Sequence, residues 1–326
     1  MEPDLMNRPV NRSLLQSLGK HGRWSEDTAK QAFYESGIYA DRKQWLSWAV
    51  RFFAGTGIAF LLAGIIFFFA WNWSDMSRVM KFSTVGGSLV IVTLASLFLR
   101  KKHELAFQLG LTVVMVLTGL LFAVQGQEYQ TGADDYVLFR NWSVAVLLIV
   151  AVSCFPPLWL LYAVLLNVTL ILWNAQTQER GAHWLLTYLF ILNTLILLAW
   201  EFLQGFKIAF VKGRWFPRIL ATAAVLCSTI TLMSERLQHD WISAAIMLPL
   251  YVAGGLVYGL YRKDLFMLGL LGFSTLLLLA DQLPHERGMD AQYISMLLRG
   301  IIILGGSSLL AVGLVKLNKK WKHEQQ

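Results

Sequence analysis

The sequence is poor in cysteine and in charge, and both shortages narrow the class of protein. Its two cysteines, Cys154 and Cys227, have no metal-ligand spacing and offer no disulfide framework. Charged residues are 15% of the chain, against about 25% in a typical soluble domain. A chain of 326 residues is long enough for two soluble domains, but the shortage of charge argues against a soluble protein.

The sequence also lacks the short motifs that mark common catalytic and phosphate-binding sites. It contains no H-E-x-x-H, no G-x-S-x-G and no glycine-rich phosphate loop. All six histidines occur singly, in segments that the apolar pattern leaves as loops or tails. We therefore expect a protein that is not an enzyme and that holds no metal or other cofactor.

Apolar residues in long runs are what the sequence has in abundance. Hydrophobic residues are 56% of the chain, and thirteen tryptophans and twenty phenylalanines are among them. An apolar run of roughly 18 residues or more is long enough to cross a bilayer as a helix. The pattern predicts an all-α polytopic membrane bundle of ten spans, at 49–70, 82–99, 105–124, 137–155, 156–173, 184–203, 219–234, 241–261, 265–280 and 293–315.

The boundary between the fourth and fifth spans leaves two alternatives open. Pro156 and Pro157 favour a very short turn, because the residue before a proline is pushed out of the helical region. If the chain only kinks there, it has nine spans and its C-terminus changes side. Nine spans would place the lysine-rich C-terminal tail outside the cell, so the charge pattern favours ten.

Lysine and arginine are concentrated in alternate loops, which predicts the orientation of the chain. With ten spans and the N-terminus inside, most of the 28 basic residues fall in inner segments, as cytoplasmic loops require. We predict a bacterial cytoplasmic (inner) membrane protein with both termini in the cytoplasm. The net charge of +8 does not indicate nucleic-acid binding, because the basic residues lie along one membrane face, where lipid headgroups attract them.

Residues 1–48 are polar and lack the apolar core of a cleavable signal peptide. Leucine spacing predicts a first short helix that ends at Gly22, and Ser25 is a suitable N-cap for a second helix that runs to about Ser36. The pair is either a docking module or a cap next to the membrane. We predict three domains: a cytosolic helical hairpin at 1–48, a transmembrane bundle at 49–315 and a basic cytosolic tail at 316–326.

A polar segment interrupts the apolar pattern between the third and fourth spans. It covers residues 125–142, reads QGQEYQTGADDYVLFRNW and includes Gly126 and Gly132, whose backbones tolerate angles that other residues avoid. Carboxylates beside amides bind hard cations or cationic groups through oxygen. The alternative is that such residues only form turns and cap helices. The candidate outer-face binding surface combines this segment with the end of the first span: Asn72, Trp73, Asp75, Gln127, Glu128, Tyr129, Asp134 and Asp135.

Three polar side chains fall within predicted spans. Asn167 and Asn193 lie at similar depths in consecutive spans, so we predict that they hydrogen-bond to each other. The alternative is that either one lines a solute path. Arg299, in the last span, either binds a ligand or coupling ion, or reaches the headgroups, or pairs with Asp281 or Asp290.

Two stretches of the sequence resemble a known family. They read FFFAWNWSD at 67–75 and AVQGQEYQTGAD at 123–134. Their order, spacing and flanking helices resemble an uncharacterised bacterial membrane-protein family catalogued as domain of unknown function 2157. The resemblance extends from the N-terminal hairpin through the fifth span, and it implies a polytopic membrane protein without an agreed activity, substrate or cofactor.

Two classes of function remain open. The first is a non-enzymatic sensor or accessory subunit, embedded in the lipid bilayer, that presents the outer polar surface to a membrane or periplasmic protein partner. The second is a transporter of a small solute or ion. Transporters usually place ionisable groups near the bilayer midplane and use broken helices. Here the midplane holds mainly Asn167, Asn193 and Pro249, which favours the first class.

Overall fold

The structure is a computed structural model. It describes residues 12–22, 24–37, 40–72, 75–129, 134–177, 182–206, 209–211, 213–233, 241–283 and 289–323. The chain divides into two compact units, Met1–Ser77 and Arg78–Gln326, and each is described by itself. Across these ranges the regular elements are helices, and no strand occurs among them.

Where the structure describes the first unit, it contains three helices, α1 (Arg12–His21), α2 (Glu26–Glu35) and α3 (Arg42–Asn72). Both predicted short helices are present. Ser25 caps α2 by accepting a hydrogen bond from the Thr28 backbone N–H at 3.2 Å. Gly37 follows the end of α2 with a φ of 70°, a left-handed conformation that glycine adopts without strain. The division of the chain at residues 48 and 315 stays a prediction.

The described part of the second unit contains nine α-helices, and each helix packs against the next along the chain. Helix α9 also contacts α11, so the last five helices form a group rather than a row. A π-helical turn, Val257–Tyr261, continues α10. The bounds are α4 (Arg78–Leu99), α5 (Glu104–Tyr129), α6 (Asp135–Ser153), α7 (Pro156–Thr177), α8 (Ala182–Gly205), α9 (Trp215–Met233), α10 (Trp241–Leu256), α11 (Leu265–Asp281) and α12 (Met289–His323).

Each of the ten predicted spans corresponds to a helix. Within the described ranges nine helices are long and apolar enough to cross a membrane, and α11 is a shorter apolar helix of 17 residues. Large apolar side chains such as Phe98, Leu148 and Leu304 are about three-quarters exposed on the second unit. So much exposed apolar surface requires a lipid environment. The predicted polytopic all-α membrane bundle is confirmed.

The two adjacent prolines separate two helices. Helix α6 ends at Ser153, Cys154 adopts a left-handed φ of 48°, and α7 begins at Pro156, where proline suits the first helical position. The backbone N–H of Tyr136, at the start of α6, donates to Gln176 Oε1 near the end of α7 at 3.0 Å. The two helices are therefore an antiparallel hairpin, and the nine-span alternative is wrong.

The helix of the third span ends later than the sequence indicated, because it includes the first residues of the polar segment. Helix α5 continues through Tyr129, so Gly126 is helical and does not need unusual backbone angles. Among the described glycines only Gly37 has a positive φ. Polar residues can continue a helix beyond the hydrocarbon because water there satisfies their side chains. Gly132 lies outside the described residues.

Clusters of buried apolar side chains hold the second unit together, and two of them connect α5 through α9. One joins α5, α6 and α7 through side chains that include Met115, Val150 and Leu158. The other joins α7, α8 and α9, where the rings of Trp200 and Phe216 are 4.2 Å apart. The antiparallel packing leaves the end of α5 and the start of α6 at one end of the bundle. The end of α8 and the starts of α9 and α11 lie at the opposite end.

Candidate functional site

The predicted outer surface contains a charge cluster, which we call the Glu128 cluster: Arg78, Lys81, Glu128 and Tyr129. Lys81 Nζ donates to Glu128 Oε1 at 2.6 Å. Arg78 Nε donates to Glu128 Oε2 at 3.5 Å, and its Nη2 donates to the Glu128 backbone carbonyl at 3.2 Å. The sequence placed Glu128 in the candidate binding surface but did not predict its pairing with the two cations, which the first turn of α4 brings to the last turn of α5.

The exposed part of the Glu128 cluster is an arginine over an aromatic ring. Arg78 Cζ lies 5.1 Å from the centroid of the Tyr129 ring, within cation–π range. The Tyr129 ring also contacts Phe82, with the ring centroids 5.9 Å apart. Tyr129 is 56% exposed, whereas Lys81, another member of the cluster, is buried. Gln127 is exposed on the same helix end.

The two aspartates at the start of α6 have different neighbours. Asp134 occupies the N-cap position without a side-chain capping hydrogen bond. Asp135 Oδ2 accepts a hydrogen bond from Gln176 Nε2 at 3.2 Å, so it ties α6 to the end of α7. Both side chains are exposed, and the helix dipole favours acids at this position. Across the described ranges no group of three or more His, Cys, Asp or Glu side chains is arranged to hold a metal ion.

The remaining residues of the predicted surface belong to the first unit. Asp75 lies in an exposed turn after α3. The side chain of Asn72 and all of Trp73 lie outside the described residues. The predicted neighbourhood of residues 72–75 and 127–135 stays a prediction.

The predicted asparagine pair is present between α7 and α8. Asn167 Nδ2 donates to Asn193 Oδ1 at 3.2 Å, and Asn193 Nδ2 donates to Asn167 Oδ1 at 2.7 Å. Each amide nitrogen also donates to the carbonyl four residues earlier in its own helix, Ala163 or Leu189, at 2.8 Å. Because an amide nitrogen carries two hydrogens, all four donors of the pair are used. The predicted hydrogen bond is confirmed.

We expect Asn167→Leu and Asn193→Leu to be coupled in a double-mutant cycle on thermal stability in detergent. Removing one amide leaves the other buried without its partner. Each substitution should therefore lower the stability of the wild type more than it lowers the stability of a protein that already carries the other substitution. The coupling should be about 0.6 kcal/mol and at most about 2 kcal/mol. Thr222 provides a control, because its hydroxyl donates only within its own helix, to the Arg218 carbonyl. Thr222→Val should be additive with Asn167→Leu, and additivity between the two asparagines would contradict the pairing.

Arg299 makes a contact that the sequence did not indicate. Its Nη2 donates to the backbone carbonyl of Leu283, two residues beyond α11, at 3.0 Å. The guanidinium therefore reaches back to the neighbouring helix end from within α12. This contact supports the structural alternative for Arg299, with a backbone carbonyl as one acceptor.

The largest ion-pair network lies at the opposite end of the bundle, and we call it the Asp264 network: Glu201, Arg214, Arg218, Arg262 and Asp264. Asp264 is 3% exposed, and it accepts from Arg214 Nη1 and Arg218 Nη2, both at 3.1 Å. It also caps α11 by accepting from the Phe266 N–H at 3.1 Å. Arg262 forms a second ion pair with Glu201 at 2.8 Å. The Arg214 guanidinium links the two pairs by donating to the Arg262 carbonyl at 3.1 Å.

The Asp264 network was missed because its arginines counted only as markers of the inner face. Its partners are 46 or more residues apart in pairs such as Arg218 and Asp264, so loop-by-loop counting of charge does not reveal them. One local signal was present. Asp264 directly precedes an apolar run and follows Arg262 and Lys263, which is the position of an N-cap residue with cations beside it.

The ionisation of Asp264, which lies outside the apolar helices, is set by two opposing effects. Burial alone would raise the pKa of this carboxyl, because it disfavours the charged form. Hydrogen bonds from Arg218 and Arg214, the positive charge of Arg218 and the hydrogen bond from the Phe266 N–H more than offset burial and hold the pKa below its ordinary value. The network therefore contains a buried carboxylate that is charged at neutral pH.

A cluster of hydroxyl groups joins α9, α10 and α11 inside the bundle. Tyr251 OH lies 2.7 Å from Ser228 Oγ and 2.8 Å from Ser274 Oγ, and Ser274 Oγ lies 2.5 Å from Thr229 Oγ1. Ser228 and Thr229 also donate to the Val225 carbonyl. Each hydroxyl has one proton to donate, and every one has an acceptor within the cluster. The arrangement binds three helices to one another.

A cavity of about 70 Å³ lies next to this cluster, between α8, α9, α10 and α11. Its wall is mostly apolar, with Thr194, Tyr251 and Tyr258 as the side chains that carry hydroxyl groups. Pockets that bind small molecules usually measure about 300–1,000 Å³. This cavity is too small for a solute of ordinary size.

These features define a polytopic helical membrane protein with a charge cluster at each end and paired polar groups within the bundle. Residues 20–159 match the family model described as "Predicted membrane protein (DUF2157)". The match confirms the resemblance seen in the sequence, and it covers α2 through the start of α7. No curated protein and no solved structure matches the chain.

Proposed function

We propose that this chain is a non-enzymatic subunit of the bacterial cytoplasmic membrane, a sensor or accessory component that presents the Glu128 cluster to a protein partner on the outer face. One observation carries the proposal: an exposed arginine, Arg78, lies over an exposed tyrosine, Tyr129, and Glu128 holds the arginine there.

The composition of the Glu128 cluster suits a protein interface. Tyrosine and arginine are enriched among the residues that contribute most to binding between proteins. A side chain that is already held loses less conformational freedom when it binds. Arg78 is held by Glu128 and by the Tyr129 ring. The exposed Asp134 and Asp135, at the same end of the bundle, offer acceptors for a polar rim.

The transporter alternative has less support from the polar groups inside the bundle. The amides of Asn167 and Asn193 satisfy each other, and the hydroxyl cluster around Tyr251 satisfies itself. The adjoining cavity is only about 70 Å³. A solute path would need polar groups that are free to exchange partners with the solute, and these groups already have partners.

The test is affinity purification in mild detergent, with co-purifying proteins quantified for the wild type and for Tyr129→Ala. Tyr261→Ala is the matched control, because Tyr261 is also exposed, at 81%, but lies at the opposite end of the bundle. We expect a stoichiometric partner whose recovery falls about tenfold or more with Tyr129→Ala, as for a residue central to an interface. Recovery should be unchanged with Tyr261→Ala.

Two results would contradict the proposal. One is a wild-type protein that co-purifies with no stoichiometric partner. The other is equal recovery of the partner with Tyr129→Ala and with the wild type. A small solute that raises the thermal stability of a partner-free protein would favour the transporter alternative.

A further inference from the structure

A groove on the surface of the bundle combines one cation with an apolar floor. It has a volume of about 320 Å³ and lies between α6, α7 and α8. Arg140 and Tyr136 line it from α6, and Trp173 lines it near the end of α7. The floor is formed by leucines from α7 and α8 and by Thr169, whose hydroxyl donates to the Leu165 carbonyl of its own helix; the leucines are Leu166, Leu170 and Leu192.

Arg140 is the cation at this groove, and its position in the membrane is costly. It lies five residues into α6, which at 1.5 Å per residue is about 8 Å from the helix end. A charged side chain at that depth requires a partner or access to water. Its contacts are the Asn141 Oδ1, at 3.4 Å, and the Tyr136 ring, whose centroid is 5.9 Å away. Neither contact supplies a negative charge.

Four of the described arginines of the second unit have carboxylate partners, and Arg140 is not among them. Arg78, Arg214, Arg218 and Arg262 each form an ion pair with a glutamate or aspartate. Among the described residues no carboxylate lies within 4.0 Å of the Arg140 guanidinium, and its side chain is exposed. At the level of the headgroups, the abundant anion is the lipid phosphate, which guanidinium binds through paired N–H donors.

The groove continues from Arg140 toward the middle of the bundle. Trp173 lies four residues from the end of α7, at the depth of an aromatic belt. Leu166 lies eleven residues from that end, about 17 Å deep. A polar mouth at headgroup level and an apolar floor that extends toward the midplane match the two parts of a phospholipid.

We propose that this groove binds one phospholipid, with the phosphate on Arg140 and an acyl chain along Leu166, Leu170 and Leu192. The arrangement supplies the negative charge that the described residues do not provide for Arg140. It requires only that α6 and α7 cross a bilayer, and it does not depend on which face of the membrane the groove occupies.

The test measures retained lipid by native mass spectrometry, after the detergent-purified protein is titrated with phosphatidylglycerol or phosphatidylcholine. We expect one tightly retained phosphatidylglycerol on the wild type, and about a tenfold loss with Arg140→Gln, since a hydrogen bond to a charged group contributes on this scale. Arg140→Lys keeps the charge and should retain most of the lipid. Arg78→Gln is the matched control: it removes an arginine at the same end of the bundle, and the amount of phosphatidylglycerol retained should stay as in the wild type.

A second variant tests the groove rather than the charge. Leu170→Trp leaves Arg140 in place but fills the floor, and it should also lose the lipid. Inorganic phosphate should not displace phosphatidylglycerol, because it lacks the acyl chain. Equal lipid retention by Arg140→Gln and Arg78→Gln, unchanged retention in Leu170→Trp, or displacement by inorganic phosphate would each overturn the proposal. Thermal unfolding of each variant in detergent confirms that it is folded before lipid is counted.

Discussion

Asp264→Asn is expected to lower the free energy of unfolding by about 2–4 kcal/mol. Breaking a buried ion pair by removing one partner usually costs about 3–5 kcal/mol. Here the two arginines are 46% and 40% exposed, so water can partly solvate them after the change, and the expected loss is at the lower end. Asparagine keeps the size of the side chain and can still cap α11, which isolates the effect of the charge.

Asp135→Asn is the matched control for this change. Asp135 also lies at the start of a helix, but it is exposed and, among the described residues, its carboxylate accepts a hydrogen bond from the neutral Gln176. Its replacement should cost less than about 1 kcal/mol. The measurement is equilibrium unfolding of each variant in mixed detergent micelles. Equal stability losses for the two variants would contradict the role assigned to the Asp264 network.

The effect of Asp264→Asn should depend on pH with a predictable sign. The pKa of Asp264 is lowered in the folded protein by Arg218 and Arg214 against the effect of burial, so the folded state favours the charged form. Its contribution to stability is therefore complete above the ordinary aspartate pKa, about 4, and is lost as the pH falls through the lower folded pKa. The stability difference between wild type and variant should be constant from about pH 5 to 8 and shrink below about pH 4. A difference that grows on acidification would contradict this assignment.

Gly119→Ala is expected to destabilise the protein by about 1–3 kcal/mol, although alanine is the better helix former by about 1 kcal/mol. A Cβ at this position would clash with Trp142 Cε2. The Trp142 ring cannot move away cheaply, because its Nε1 donates to the Met115 carbonyl at 2.9 Å and the ring packs on the α5–α7 cluster. The clash and the weakened hydrogen bond therefore outweigh the gain in helix propensity.

Gly126→Ala is the control, and it should have the opposite sign. Gly126 lies in the same helix, and a Cβ there would meet no other atom within 4 Å. With open space around it, alanine should stabilise α5 by up to about 1 kcal/mol. Thermal unfolding of both variants in one detergent checks the pair. Stabilisation by both changes would contradict the close contact between Gly119 and Trp142.

Local and periodic signals account for what the sequence predicted correctly. Run length predicted the ten helices, and Ser25 predicted the start of α2 through capping. The Asn167–Asn193 hydrogen bond was predictable because two consecutive antiparallel spans fix the relative depth of their residues. In each case the information lies within one helix or between helices that are adjacent along the chain.

The features that were missed depend on pairings that charge counts and motifs do not reveal. Glu128 was assigned to an acidic surface because its cations, Arg78 and Lys81, are about 50 residues earlier in the chain. The Asp264 network joins four helix ends, and its arginines are indistinguishable in sequence from solvated basic loops. The contact of Gly119 with Trp142 requires knowing which faces of α5 and α6 meet. The sequence shows that the helix ends carry polar residues, but it does not show which of these residues pair with each other.

The central prediction is that the end of the bundle with the Glu128 cluster lies outside the cytoplasm and that the end with the Asp264 network lies inside it. The measurement uses reporter fusions that are active either in the cytoplasm or outside it, placed after Thr177, Leu203, Tyr261 and Gln326. We expect a cytoplasmic signal after Leu203, Tyr261 and Gln326, beside the Asp264 network and the basic tail, because cytoplasmic loops are enriched in lysine and arginine. We expect an outer signal after Thr177, at the end that carries the Glu128 cluster. A cytoplasmic signal after Thr177, or an outer signal after Tyr261 or Gln326, would contradict it.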